Sequence, residues 1–468
     1  MSRIPGKVFN FCGHLLAPLK QPYFFLFLSF CLVDNLLGAN KPQIVGWLGT
    51  QPLYIVEIIG LSVVVSYCEA FFTLLIQKGI RRLFPTCGIW CNPFIYMFRN
   101  AQNIPQLTSA TRVAYYGYLA YNDIKGMNNL CTIGVIYKEK GKAKRVENDG
   151  YDGSVVLVIG ESHSVFHSPL YGYPLNTNPN MMRHMADSSL IVFNDVVTID
   201  DHTSAVMNSI YSVGRYNNNF YNLPLLPMII RGVGYFTALY DNQYFVNNGQ
   251  GILTNKSLSE HMFDFRNAKS YFYDGDMVKD IVLPDNRKSF VIIHLYGQHY
   301  TYSERYPESF SKFKPSQYTG SDKQKQTKSE YDNACLYNDY VLEQILNKFC
   351  KKDACVVYLS DHGEELFEQS DLYGHGFAAY APSIKYQIRI PMFVWGAEKF
   401  RINNPTLWDR IQSAADLPMS SDDVSHFIID LTGTGGPELD KTRSALNKEY
   451  DAKHPRIVLH SIEYDKTR

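Results

Sequence analysis

The 468-residue chain has no surplus of either charge: lysine plus arginine and aspartate plus glutamate both number 45. No basic field is therefore available to hold a polyanion, which excludes a nucleic-acid binder working through global charge. Cys350 and Cys355 have no second cysteine or histidine pair close by, which argues against a structural zinc finger. The nine cysteines are scattered, and Cys12, Cys31, Cys68 and Cys91 lie in or near apolar stretches where they act as small hydrophobes. Cys350 and Cys355 are spaced to close a short loop in an oxidising compartment. No internal repeat or low-complexity block is evident. No small-residue cleavage site follows the first apolar run, which argues against a removed signal peptide.

What is present first is apolar. Residues 23–39 (YFFLFLSFCLVDNLLGA) and 53–77 (LYIVEIIGLSVVVSYCEAFFTLLIQ) are near the length that spans a bilayer, about 17–25 residues, and two transmembrane helices are expected there. A soluble helical hairpin is the alternative. Asp34, Glu57 and Glu69 are costly in hydrocarbon and should face a partner helix, a polar cavity or an interface. Lys78, Arg81 and Arg82 follow the second run, where positive residues normally stay cytoplasmic, while two spans return the chain to its starting side, so that either the amino terminus lies outside or a further segment inserts if the domain beyond is external. The run at 85–98 is too short to cross and suits the interface, with Trp90 and Tyr96. The predicted organisation is a membrane-anchoring region at 1–100, a polar bridge at 101–150 whose late part, KEKGKAKRVENDG, is a linker, and a domain of ordinary size at 151–468.

Within that domain three β-branched runs each end on ionisable residues: VVLVIGESH (155–163), FVIIHLYGQH (290–299) and VVYLSDHGEE (356–365). Such runs predict strands buried on both faces of a parallel sheet, where ligands gather beyond the carboxyl ends. Glu161, His299, Asp361 and His362 should then meet on one edge. Carboxylates mixed with imidazoles suit a borderline dication, Zn²⁺ foremost. A lone strand-end Asp or His is more often merely hydrogen-bonded; three strands delivering such groups together favour metal ligation.

A hydroxyl nucleophile is offered by DDHTSAVMNSIYSV, directly after the apolar run IVFNDVVTI. Thr203 and Ser204 are the candidates, since coordination to a dication lowers an alcohol's pKa and readies it to attack phosphorus. The plainer reading is that Thr203 caps a helix beginning near Ala205. A second histidine group, His294, His299 and His375, would hold another cation or the substrate's phosphate oxygens. His294 could instead orient a ligand without being one. His163, His167 and His202 read as structural or supporting groups.

These segments, taken in order, resemble the phosphoethanolamine transferases of the alkaline phosphatase and sulfatase superfamily over residues 150–430. GES (160–162) with LYGYPLNTNP (170–179) is similar to the opening motif, HT (202–203) to the nucleophile segment, and HLYGQHYTYSERYPESFSKF (294–313) to the histidine motif. YDNACLYNDYVL (331–342), SDHGEEL (360–366), HGFAAYAP (375–382) and DVSHFIIDLTG (423–433) follow in the family's order. The chain departs from the pattern where Ser162, His163 and Ser164 replace an arginine usual just after the glutamate. No cysteines flank the nucleophile between Asp200 and Ser212, which resembles the branch without that disulfide.

The resemblance implies an α/β fold: an alkaline phosphatase-like α/β/α sandwich with a mostly parallel sheet, tethered by amino-terminal transmembrane helices to a bacterial inner membrane and facing the periplasm. It implies Zn²⁺, one firmly bound and a second optional, with Glu161, Thr203, Asp361 and His362 as ligands and Thr203 as nucleophile. His299, His375 and His294 fall to the second metal or the phosphate. The implied reaction moves phosphoethanolamine from phosphatidylethanolamine to an envelope acceptor, such as lipid A or core lipopolysaccharide, a glycan or a protein, through a phosphothreonine. The tyrosines of 296–306 would line a headgroup groove. The rival readings are a metal-dependent phosphatase or sulfatase-type hydrolase, although the Cys/Ser-x-Pro-x-Arg motif that sulfatases resemble is absent around Thr203, and a non-catalytic membrane binding protein.

Overall fold

Seven strands form one sheet in the computed structural model of the chain. The structure describes residues 109–140, 144–145 and 151–467, apart from 217–219, 244–251, 253, 283, 285–286 and 380–381. The apolar runs at 23–39, 53–77 and 85–98 lie outside the described residues, as does most of the expected linker. Among the described residues no helix is long and apolar enough to cross a membrane. Helix α1 (Ser109–Lys140) occupies much of the segment read as a bridge.

The sheet is built from β1 (Ser154–Gly160), β2 (Leu190–Phe193), β3 (Phe236–Asp241), β4 (Phe265–Arg266), β5 (Ser289–His294), β6 (Ala354–Ser360) and β7 (Met392–Gly396). Their order is β2–β7–β6–β1–β5–β3–β4. β1, the central strand, pairs in parallel with β5 on one side and β6 on the other, and β3 and β4 continue in the same direction. Only β7 runs against its neighbours. The sheet is thus mixed and mostly parallel, and the expected α/β class is met.

Val155 to Ile159 are all fully buried, as are Phe290 to Ile293 and Cys355 to Leu359. Consecutive strand residues point to opposite faces, so both faces of the three central strands are covered, which is why these runs are continuously apolar. Cys355 lies inside β6 and Cys350 is exposed just past a long helix, α3 (Asp322–Phe349); both are free thiols, so the short loop is not closed by a disulfide. The reason is local: a strand interior points the Cys355 thiol into the core.

From Asp123 onward the chain packs as one compact unit. Helix α3 begins with a Ser321/Gln324 capping box. It braces the loop after β1, where the Tyr331 hydroxyl accepts from the Ser164 amide at 2.8 Å and donates to the Ser162 carbonyl at 2.5 Å. Helix α2 (Thr203–Tyr211) starts at the candidate nucleophile.

Candidate active site

β1 ends at Gly160, so Glu161 and Ser162 are the first residues past the sheet edge; Asp361 and His362 stand in the same place after β6. The two loops are sewn together. The Asp361 amide donates to the Gly160 carbonyl at 3.0 Å, while the amides of Ser162 and His362 both donate to Asp361 Oδ1, at 3.1 and 2.7 Å. From the β5 side Gly297 presses on the Glu161 backbone, with φ +46°; a Cβ there would lie 2.9 Å from the Glu161 carbonyl oxygen. Ser162 itself holds φ +55°, a strained conformation for serine.

Glu161, Asp361 and His362 are fully buried, and Thr203 is half-buried at the head of α2. The Thr203 hydroxyl donates to Glu161 Oε2 at 3.1 Å and lies 3.5 Å from His362 Nε2. His362 Nδ1 donates to the Gly363 carbonyl at 2.9 Å, which turns Nε2 to the carboxylates. That Nε2 is 3.3 Å from both Glu161 Oε1 and Asp361 Oδ2. Asp361 Oδ2 is nevertheless buried without an aligned hydrogen-bond donor.

His375 joins this cluster. Donor atoms of Glu161, His362 and His375 all lie within 4.8 Å of one another. The rings of His362 and His375 are 4.0 Å apart, and His375 Nδ1 is 2.8 Å from Glu364 Oε2. Glu364 also accepts from the Tyr302 hydroxyl. His299 is half-buried, its ring stacked on Tyr296 at 5.0 Å. His294 ends β5, fully buried, with Nδ1 3.2 Å from Asp241 Oδ1, and Arg266 secures Asp241 at 3.1 Å.

The charges are strongly interdependent. Burial alone would raise the Glu161 carboxyl, but the His362, His299 and His375 imidazoles hold it well below the usual carboxylate range. Burial and the Glu161 charge push Asp361 up to about 6. His362 is raised well above its ordinary value, because Asp361 and Glu161 override the opposing effect of burial. Two buried carboxylates and an imidazole that compete for protons, one oxygen unpaired, are the donor set a dication satisfies, and their mixed O/N chemistry fits zinc.

Three groups escaped the sequence reading. Gln243, just past β3, donates its amide to Glu161 Oε2 at 2.9 Å and to the Leu295 carbonyl at 2.8 Å. Ser162 Oγ donates to Glu161 Oε1 at 2.8 Å. Glu364 stands behind His375. Glu364 and Ser162 neighbour recognised residues, whereas only a position just past a strand end marked Gln243. The plain capping role for Thr203 is not what its hydroxyl does: α2 begins at Thr203, and His202 occupies the preceding position. Ser204 is exposed. Of the tyrosines at 296–306, Tyr302 and Tyr306 are buried and Tyr300 is exposed.

Comparison with known proteins identifies the family. The family described as Sulfatase matches residues 154–434. The phosphoethanolamine transferase EptC of Escherichia coli O18:K1:H7 (strain RS218 / NMEC) is 30% identical over 313 residues, covering 64% of this chain and 54% of EptC. The chain thus spans about half the length of the curated relatives it matches. The crystal structure of the C-terminal periplasmic domain of EptC from E. coli in complex with Zn superposes with a TM-score of 0.61 at 28% identity, covering 69% of this chain and 95% of that one. The integral membrane lipooligosaccharide phosphoethanolamine transferase A (EptA) from Neisseria meningitidis shares the fold, with a TM-score of 0.57 at 20% identity over 89% of this chain and 81% of that one.

Proposed function

The chain belongs to the sulfatase family and, within it, to the phosphoethanolamine transferase branch, and from that premise we propose that it transfers phosphoethanolamine from phosphatidylethanolamine to a cell-envelope acceptor. The observation that carries this reading is the Thr203 hydroxyl at the head of α2, held between Glu161 and His362 beside the unpaired oxygen of Asp361.

Thr203 Oγ attacks the phosphorus of the lipid headgroup. A bond forms from Oγ to phosphorus, the bond from phosphorus to the glycerol oxygen breaks, and diacylglycerol leaves with a proton. An acceptor hydroxyl or phosphate then attacks from the opposite side, restoring Thr203 and yielding the phosphoethanolamine-modified acceptor. Two inversions give net retention at phosphorus. The α2 amino terminus adds partial positive charge where the phosphoryl oxygens gather. In this reading His299 and His375 meet those oxygens; the contacts of Asp241 with His294 and of Glu364 with His375 would orient those two rings.

Glu161 and His362, with Asp361 beside His362 and Thr203 beside Glu161, are the residues to hold zinc, and His375 clusters with Glu161 and His362. When bound, the ion supplies Lewis acidity that lowers the pKa of the threonine hydroxyl and neutralises developing charge. The similarity of a Zn-complexed relative supports this choice of metal. The reading extends to an inner-membrane protein whose catalytic domain faces the periplasm, anchored by the amino-terminal apolar runs, with lipopolysaccharide among the acceptor classes; the relatives' names and the fold shared with an integral membrane relative support it.

The test is to incubate the purified full chain with labelled phosphatidylethanolamine. Diacylglycerol release together with a phosphoethanolamine adduct that peptide mass spectrometry places on Thr203 is expected. An adduct on Ser204, or release of free phosphoethanolamine with no transfer to any envelope acceptor supplied, would overturn the assignment in favour of a different nucleophile or a hydrolase.

A further inference from the structure

The two loops that carry His299 and His375 each carry a tyrosine beside the histidine: Tyr300 directly after His299, and Tyr373 two residues before His375. The rings of Tyr300 and Tyr373 face one another, 25° from parallel with centroids 6.5 Å apart, at the wide end of the range for aromatic pairs. We propose that this tyrosine pair is the site that recognises the primary ammonium of the transferred headgroup. The inference rests on the function proposed above and names the specificity element of that same site.

Four observations carry it. A primary ammonium already lies on one of these rings: Lys323 Nζ is 5.1 Å from the Tyr373 centroid, inside the roughly 6 Å reach of a cation–π contact. Tyr300 is 55% exposed, so its ring is open to a ligand at the mouth of the site and is not consumed by the core. The backbone is strained to hold this arrangement. Thr301 has φ +66° and Phe367, whose ring packs 5.1 Å from Tyr373, has φ +68°; a β-branched and a bulky residue rarely take the left-handed region without a compensating role. The left-handed turn at Thr301 separates an exposed Tyr300 from a buried Tyr302, whose hydroxyl ties to Glu364 and through it to His375 Nδ1 at 2.8 Å.

The chemistry fits the ligand. In phosphoethanolamine two carbons separate the ammonium from the phosphate oxygen, so a phosphoryl group held at His299 and His375 leaves the ammonium a short reach away, toward the side chains next to those histidines in sequence. A neutral headgroup gains nothing from this pair, whereas an ammonium within reach of two ring faces does.

The experiment compares two lipid donors that differ only in the ammonium, phosphatidylethanolamine and phosphatidylethanol, by kcat/KM for diacylglycerol release with the full chain in detergent. The wild-type protein should prefer phosphatidylethanolamine by about tenfold or more. Tyr373→Leu and Tyr300→Leu should each bring that preference toward unity while retaining turnover of phosphatidylethanol, and Tyr373→Phe, which keeps the ring face, should restore most of it. A preference unchanged in both leucine variants, or lost equally in Tyr373→Phe, overturns the proposal. A wild-type protein that releases diacylglycerol from neither donor overturns the transferase reading and this inference with it. As a readout that needs no turnover, free phosphoethanolamine should bind the wild-type protein more tightly than ethyl phosphate in calorimetry and bind Tyr373→Leu no more tightly than ethyl phosphate.

Discussion

Gln243 shows how one uncharged side chain can govern a reactive carboxylate. Its amide nitrogen donates to Glu161 Oε2, the oxygen that also accepts from Thr203, and a second donation to the Leu295 carbonyl fixes the amide's orientation. Groups that orient a metal-binding carboxylate typically matter by about 10- to 100-fold in metal affinity or rate. Gln243→Ala should therefore weaken zinc binding and lower kcat/KM by about that factor, whereas Gln243→Glu should do worse by placing a third negative charge against two buried carboxylates. Competition with a zinc-selective chelator measures the first effect, and an unchanged affinity in Gln243→Ala would remove the amide from the account. The neighbouring hydroxyls differ in the same manner. Thr203 is half-buried against Glu161 and Ser204 is exposed, so Thr203→Ala should abolish diacylglycerol release, by at least about 10³-fold if it is the nucleophile, while Ser204→Ala should stay within about threefold of wild type. Comparable losses in the two variants would sink the distinction. Glu161, Asp361 and His362 could be singled out from sequence because strands end on them. Gln243 could not, since an amide after an apolar run carries no chemical signature until a carboxylate is found beside it.

Between elements, the clearest electrostatic link joins the loop after β1 to helix α3. His167 Nδ1 is 2.5 Å from Asp332 Oδ1 and its Nε2 is 3.2 Å from Glu368 Oε1, with the imidazole fully buried. Burial opposes the charged imidazole, but Asp332 and then Glu368 prevail and raise it to about 9. A group whose folded pKa is raised stabilises fully below its unfolded value, near 6.5, and loses that contribution as pH climbs through about 9. About 3 kcal/mol should disappear across this window. The expected outcome is a urea midpoint that falls from pH 6.5 to 9.5 in the wild-type protein and falls much less in His167→Gln; parallel curves for the two would assign the loss to other groups. Elements of this sort were only partly legible in advance. Buried runs such as Val155 to Ile159 announce strands by unbroken β-branching, and their carboxyl ends announced the site. The start of α2 lay two residues earlier than Ala205, because His202, and not a Ser or Thr, occupies the boundary position and offers no side-chain cap to mark it. The partners of His167, Asp332 on α3 and Glu368 in the segment after β6, lie 165 and 201 residues away in sequence, which no local pattern encodes.

At the scale of the whole molecule, folding gathers Glu161, Asp361 and His362 at one sheet edge, fully buried, and leaves Asp361 Oδ2 without a donor. Two buried carboxylates that share one imidazole cost stability, and a dication that binds only the folded arrangement returns it by mass action. At a hundredfold excess of zinc over its dissociation constant the gain is about 2.7 kcal/mol. For a domain somewhat larger than 250 residues, about 2–4 °C per kcal/mol places the shift at roughly 5–10 °C. Zinc added to chelator-stripped protein should raise its Tm by that amount, and chelation should reverse the rise. Asp361→Asn removes one of the competing charges and keeps nearly the same volume, so the stripped variant should melt no lower than stripped wild type and should respond to zinc by only about a degree. The pair of measurements separates a metal site from a structural carboxylate. If Asp361 merely accepted the Ser162 and His362 amides, its replacement would lower Tm with or without zinc, and the zinc response would survive intact. Equal zinc shifts in the two proteins, measured by calorimetry at one pH, would place the ion elsewhere in the chain and separate the metal from the nucleophile at Thr203.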